Sequence, residues 1–190
     1  MSNVPHLCLR IDEDTELRIY EERHAPQVAG VVDENRAHLR QWLPWLDNSR
    51  SVEDSLGFIR GSLKQFADNE GFQTGIWYKD QFVGGIGYHS LDWPAQKVEI
   101  GYWLAESMQG KGLITKATKT LVTYAFQELK LNKVEIHCAT GNVRSRAVPE
   151  RLGFTQEGII RDAEWLYDHY VDMVVYGMLA REWVRTIGMP

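Results

Sequence analysis

The segment Gln109-Gly110-Lys111-Gly112-Leu113-Ile114 carries the sharpest chemical signal in the chain. Glycines let backbone N–H groups approach an anion closely, and a helix start adds a favourable dipole. Lys111 supplies positive charge, so the segment suits a pyrophosphate. A plain strand-to-helix turn also uses glycine, and the segment alone leaves both readings open. Two phosphate motifs fail here. The nucleotide P-loop needs Ser or Thr after its lysine, where Gly112 stands; the dinucleotide fingerprint needs glycine where Thr115 stands. Gly84-Gly85-Ile86-Gly87 is not followed by a helical pattern. It reads as a strand that a ligand or another backbone approaches closely.

A second group of signals lies downstream: Gly141-Asn142-Val143-Arg144-Ser145, Arg151-Leu152-Gly153-Phe154 and Glu157-Gly158. Asn142 suits the N-cap of a helix over 143–152, and Ser145 suits a backbone bond in its first turn. The six histidines show no metal-ligand spacing, and no metal is expected. His137 alternates along a strand and reads as structural. Cys8 and Cys138 lie far apart and fit reduced thiols.

The elements that must position these residues follow from periodicity. Residues 7–11 and 15–20 read as short strands around Asp12–Asp14, and 24–41 as a helix broken near Asn35. Trp42-Leu43-Pro44-Trp45 ends that helix, because proline disfavours helix in the residue before it. Ser51-Val52-Glu53-Asp54 is a capping start for a helix carrying Leu56, Ile59, Leu63 and Phe66. Phe72–Tyr78 and Phe82–Tyr88 read as a hairpin and Val98–Leu104 as a strand. Residues 113–129 give the clearest helix, 133–140 a strand, and 154–161 and 170–179 two more. Hairpins together with interspersed helices imply a mixed sheet in an α+β domain.

With 190 residues, 44% hydrophobic and 25% charged, the composition fits a single globular domain over 1–190. No apolar run approaches ~20 residues, so no membrane span is expected. The N-terminal residues lack an apolar signal core, which favours a cytoplasmic location. The net charge of −5 disfavours bulk nucleic-acid binding. Residues 109–133 nevertheless hold five lysines and one glutamate, and 142–152 three arginines and one glutamate. A basic island in an otherwise acidic chain suits an anionic ligand at the island and a cationic partner elsewhere.

Q-G-K-G-L, followed about 30 residues later by G-N-x-x-S and L-G-F-x-x-E-G, resembles the GNAT superfamily of acyl-CoA N-acyltransferases. Leu39–Trp45, Glu99–Leu104, Tyr170–Met173 and Tyr176 make the chain similar to the ribosomal-protein N-terminal (RimJ/RimL-type) branch. The resemblance covers roughly residues 8–183. It implies a strongly twisted mixed sheet, flanked by helices and splayed between two adjacent parallel strands, here 98–104 and 133–140. Acetyl-CoA would lie in the splay as acetyl donor. Its pantetheine arm would pair with backbone around Tyr102, Trp103 and Leu104. Its pyrophosphate would sit on the amides of Gln109, Gly110, Lys111, Gly112, Leu113 and Ile114. Ile114 departs from the Gly or Ala that normally closes the motif. Asn142 would touch the coenzyme arm from the second lip.

The resemblance also implies roles. An amine must be neutral to attack a thioester, and a carboxylate near the cleft can take its proton. Glu99 is the candidate base, ten residues before Gln109 and on the opposite strand face from Ile100 and Tyr102; Glu106 is the reserve. Many superfamily members protonate the leaving thiolate with a tyrosine on the helix before L-G-F, but Pro149 occupies that position. Ser145, one turn after Asn142, would instead hydrogen-bond the sulfur, as an orienter more than an essential acid. Trp42, Pro44 and Trp45 would line the acceptor groove. The acceptor is a primary amine, first of all the N-terminal α-amine of a ribosomal protein. A small amine such as a polyamine, amino acid or aminoglycoside, or an acyl-CoA-binding module without turnover, are the alternatives. The sequence leaves a homo-oligomer open.

Overall fold

The computed structural model describes residues 7–186. Its eight strands are β1 (Cys8–Arg10), β2 (Thr15–Ile19), β3 (Gln73–Tyr78), β4 (Gln81–Asp92), β5 (Lys97–Leu104), β6 (Lys133–Ala139), β7 (Thr155–Leu166) and β8 (His169–Leu179). The helices are α1 (Ala25–Glu34), α2 (Arg36–Leu39), α3 (Val52–Ala67), α4 (Leu113–Gln127), α5 (Val143–Arg151) and α6 (Ala180–Thr186). The strands form one mixed sheet in the order β1-β2-β3-β4-β5-β6-β8-β7. The α+β class and the expected element order hold.

Local chemistry accounts for the element ends. Ser51 caps α3 by accepting from the Asp54 N–H, while the Asp54 carboxylate accepts from the Ser51 N–H. The helix expected over 24–41 divides at Asn35, whose side chain donates to the Val31 carbonyl and competes with the backbone ladder. β4 runs four residues past the expected Tyr88, because its pairing with β5 shifts register between Tyr88 and Ser90 and then resumes. Gly84 and Gly87 are close-approach positions, as expected. A Cβ on Gly84 would fall 2.4 Å from the Trp103 carbonyl, and one on Gly87 2.4 Å from that of Phe72.

Two apolar layers cover the sheet. Val98, Ile100 and Leu104 of β5 pack with Leu113, Ala117 and Leu121 of α4. Trp103, pointing the other way, packs with Tyr20, Trp77 and Phe82 under α1 and α3. The two faces of β5 therefore meet different helices, and residues alternating along it serve different sides of the sheet.

The feature that creates a site is the β5–β6 junction. These strands are parallel neighbours, yet they pair only at Lys97–Lys133, Val98–Val134 and Glu99–Glu135. Beyond Glu99 they part, while β4 continues to pair with β5 up to Leu104, and β8 with β6 up to Ala139. One edge of residues 100–104 and one of 136–139 thus line a wedge-shaped cleft. The expected splay is present.

Candidate active site

The cleft opens towards the loop that precedes α4. Gly110 and Gly112 adopt left-handed conformations, φ +75° and +74°, and Gly112 is the α4 N-cap. A side chain would be strained at either position. No side chain caps this fifteen-residue helix. Its first N–H groups face outward without intrahelical partners, which makes the end an anion seat. Gln109 and Lys111 flank it, Leu113 is buried in the core, and Ile114 packs against the same core. The Gln109 side chain is fixed at both ends: its amide donates to His38 Nε2 (2.9 Å), and its carbonyl accepts from Arg144 Nη1. Arg144 thus brings a guanidinium from α5 to the loop, a contribution the sequence reading did not single out.

Across the cleft, three side chains from three elements meet. The Tyr102 hydroxyl donates to the Ser145 carbonyl (3.0 Å) and accepts from the Ser145 hydroxyl (3.3 Å). Cys138 Sγ lies 3.2 Å from Ser145 Oγ. Burial pushes both the Tyr102 hydroxyl and the Cys138 thiol up from their ordinary pKa values. Both are neutral hydrogen-bonding groups near pH 7. Asn142 caps α5, accepting from the Ser145 N–H at 3.2 Å. α5 ends at Arg151, with Pro149 in its last turn.

Glu99 lies on the other face. Its carboxylate is 3.7 Å from His137 Nδ1. On the same side, the His89 ring covers Gly101, where a Cβ would fall 1.9 Å from His89 Cε1. Glu164 of β7 is a further carboxyl on this face. Burial, and then the charge of Glu99, hold its pKa above the ordinary value. Neither periodicity nor motif marked Glu164. Three residues of β7 stand opposite one of β8 between Ile160 and Glu164, so alternation along the strand is broken there. Glu106, the reserve carboxylate, lies exposed in a 3-10 turn, where its backbone N–H donates to Asn35 Oδ1 (2.8 Å).

Trp42 and Trp45 straddle the mouth. The Trp45 ring sits edge-on to Trp103 on the β5 lip, with centroids 6.2 Å apart. The Trp42 ring lies against Gly141 beside the β6 lip, 3.3 Å from where a Cβ would be. Pro44 opens the 3-10 turn that carries Trp45. The β7–β8 turn pins this arch: the Tyr167 hydroxyl donates to the Leu43 carbonyl, and Arg40 stacks 3.6 Å from the Tyr167 ring centroid. Among the described residues, no group of three or more His, Cys, Asp or Glu side chains could hold a metal ion, and no helix is long and apolar enough to cross a membrane.

Residues 15–155 match the acetyltransferase (GNAT) domain family. The chain is 40% identical over 175 residues to the putative ribosomal N-acetyltransferase YdaF of Bacillus subtilis, covering 92% of this chain and 96% of that one. It is 30% identical over 171 residues to the ribosomal-protein-serine acetyltransferase of Escherichia coli, covering 90% and 96%. It superposes on RimL, a ribosomal L7/L12 alpha-N-protein acetyltransferase solved in complex with coenzyme A, with a TM-score of 0.88 and 27% identity over 91% and 98% of the two chains. The parted strands and the uncapped glycine-bounded helix agree with these matches, and the chain belongs to the GNAT acetyltransferase family.

Proposed function

We propose that this acetyltransferase moves the acetyl group of acetyl-CoA to the N-terminal α-amine of a ribosomal protein, by direct attack of the amine on the thioester. The observation that carries this reading is the fork at Glu99 and Glu135, which leaves backbone edges unpaired between an anion seat and a face bearing carboxylates. The free edge at Tyr102, Trp103 and Leu104 offers hydrogen-bonding groups to the pantetheine amides. Residues 109–114, with Arg144 beside them, hold the pyrophosphate. Asn142, already the α5 N-cap, faces the coenzyme arm with its remaining amide group.

The acceptor enters from the opposite face. Glu99 accepts the proton of its ammonium, and Glu164 adds a second carboxyl that favours a cation there. An α-amine, with an ordinary pKa of about 7.7–8.0, needs far less help than a lysine amine near about 10.4. Ser145 orients the departing sulfur. A thiolate leaves well on its own, so no strong acid is required. Trp42, Pro44 and Trp45 line the acceptor groove, and a cytoplasmic location suits such an acceptor. The arch is pinned at the β5 lip and by the β7–β8 turn, which favours an extended chain end that threads beneath it.

The test is acetylation of synthetic peptides carrying ribosomal-protein N-termini, read by intact mass and by CoA release. Polyamines, amino acids and aminoglycosides serve as competitors. Peptide acetylation confined to the first residue supports the proposal. Turnover of small amines alone would replace it with the small-acceptor reading, and binding without CoA release would leave an acyl-CoA module.

A further inference from the structure

His137 sits at the point where β5 and β6 part, two residues beyond the last paired position of β6. Its two ring nitrogens face two different carboxylates: Nδ1 is 3.7 Å from Glu99 Oε2, and Nε2 is 3.7 Å from Glu135 Oε2. Nε2 is buried and makes no hydrogen bond among the described residues. A buried imidazole nitrogen without a partner costs stability, and such a position calls for another use. Glu135 is itself held in place. Lys133 lies 2.8 Å and Lys97 3.7 Å from it. Burial pushes the Glu135 carboxyl up, but the two ammonium groups outweigh that effect and hold it below the ordinary range. Glu135 is thus a fixed negative charge beside Nε2.

We propose that His137 is the proton store of the transfer reaction, a positioning residue that acts through Glu99. The inference deepens the proposed function and rests on Glu99 as the group that meets the amine. Each ring nitrogen faces a carboxylate at the same 3.7 Å, so a ring that holds its one proton at Nε2, towards Glu135, leaves Nδ1 to accept from Glu99. The proton leaves the acceptor nitrogen for a Glu99 oxygen and then passes to His137 Nδ1, while the amine nitrogen forms its bond to the acetyl carbon and the C–S bond breaks. The resulting imidazolium lies between two carboxylates and returns its proton to solvent from a part-exposed ring. A second acceptor beside Glu99 gives the proton a path away from the reacting nitrogen and frees the carboxylate for the next one. Both contacts are longer than hydrogen bonds, and such bonds commonly tighten when a site fills.

Other titratable and charged groups stand around Glu99, His137 and Glu135 on this face of the sheet. Glu99 and Lys97 come from β5, Glu135 and Lys133 from β6, Glu164 from β7, and His89, which feels the charge of Glu99, from β4. From β8 the register partner is the apolar Val175.

The decisive measurement uses the unaltered protein with CoA bound: NMR titration of the His137 imidazole beside the pH profile of kcat/KM with one good peptide. The His137 midpoint should coincide with the acidic limb of the profile, because a ring that already holds a proton cannot accept another. His137→Gln keeps size and polarity and should lower turnover about 10²-fold, at the lower end for positioned acid–base groups, with CoA affinity unchanged. In His137→Ala, added imidazole should restore part of the rate. Glu135→Gln should move the limb and the midpoint together to lower pH, since the imidazolium loses a negative neighbour. A midpoint that does not track the limb overturns the proposal, as does a folded His137→Gln protein with the parent rate. Either result leaves the acetyltransferase reading intact if the parent protein turns over peptide. Absence of turnover in the parent protein counts instead against that reading.

Discussion

The Tyr102 hydroxyl donates to the Ser145 carbonyl, the one carbonyl in α5 whose helical donor would be residue 149. Pro149 has no N–H to give. Proline in the last turn of α5 therefore frees an acceptor, and a tyrosine from the opposite lip of the cleft takes it. Tyr102→Phe should cost about 1 kcal/mol in urea unfolding, the usual worth of one part-buried hydrogen bond. In a Pro149→Ala background the new N–H satisfies that carbonyl, so the same substitution should cost much less. Additive losses in this double-mutant cycle would show that the two residues are not coupled.

Gly112 holds φ +74° at the α4 N-terminus, with open space where a side chain would stand. Gly112→Asn tolerates the left-handed backbone and serves as the control. Gly112→Asp brings a carboxylate to the anion seat and should abolish CoA binding in calorimetry, while the asparagine variant still binds. Equal CoA affinity in the two variants would remove the phosphates from residues 109–114.

Trp45 meets Trp103 at the β5 lip, away from the anion seat. Trp45→Ala should raise KM for a peptide acceptor at least about tenfold, as buried aromatic anchors commonly do when truncated. The affinity for CoA should stay as it was. A change in CoA affinity with unaltered peptide KM would place Trp45 on the donor side.

Much of this arrangement was legible in the sequence because local signals agreed with the fold. The Ser51 capping box, the α4 face of Leu113, Ala117 and Leu121, and the alternation of Glu99 against Ile100 are each set by near neighbours. The fork beyond Glu99 came from resemblance, since pairing between strands some 30 residues apart leaves no local trace. Three features were not legible. Glu164 follows a bulge that breaks the two-residue period. Arg144 reaches the loop before α4 through Gln109, a contact between side chains 35 residues apart. His137 alternates like any strand residue, and its two carboxylates come from separate strands. Pro149 was legible as an irregularity in a helix, but its consequence for Tyr102 required the tertiary contact.

Burial, followed by the charge of Glu99, holds the Glu164 carboxyl above its ordinary pKa in the folded chain. The unfolded chain therefore loses this proton more readily, and ionised Glu164 works against the fold. The cost is absent below the ordinary carboxyl range, where both states are neutral, and grows as pH rises through it. Glu164→Gln should therefore be more stable than the parent at pH 7, and the difference should shrink towards pH 4. Thermal unfolding across this range provides the check, and a gain that persists at pH 4 would assign the effect to packing.

Glu99 marks the last paired position of β5 with β6, and its side chain faces the carboxylate-bearing side of the sheet. Glu99→Gln keeps the shape and the hydrogen-bonding capacity but removes the basic carboxylate. Turnover near neutral pH should fall about 10²–10⁴-fold, the usual contribution of a positioned base. CoA affinity should barely change, because residues 109–114 lie at the far end of the cleft from this position. Raising the pH should restore part of the rate, since an acceptor that is already neutral needs no base. The loss should therefore be greatest at low pH and smallest above the α-amine pKa of about 8. Peptides ending in a lysine side-chain amine as their only acceptor should need a higher pH for the same recovery. Parallel pH–rate profiles of nearly equal height would return Glu99 to the ordinary carboxylates of a strand. Glu164, the second carboxyl on that face, would then be the residue to test.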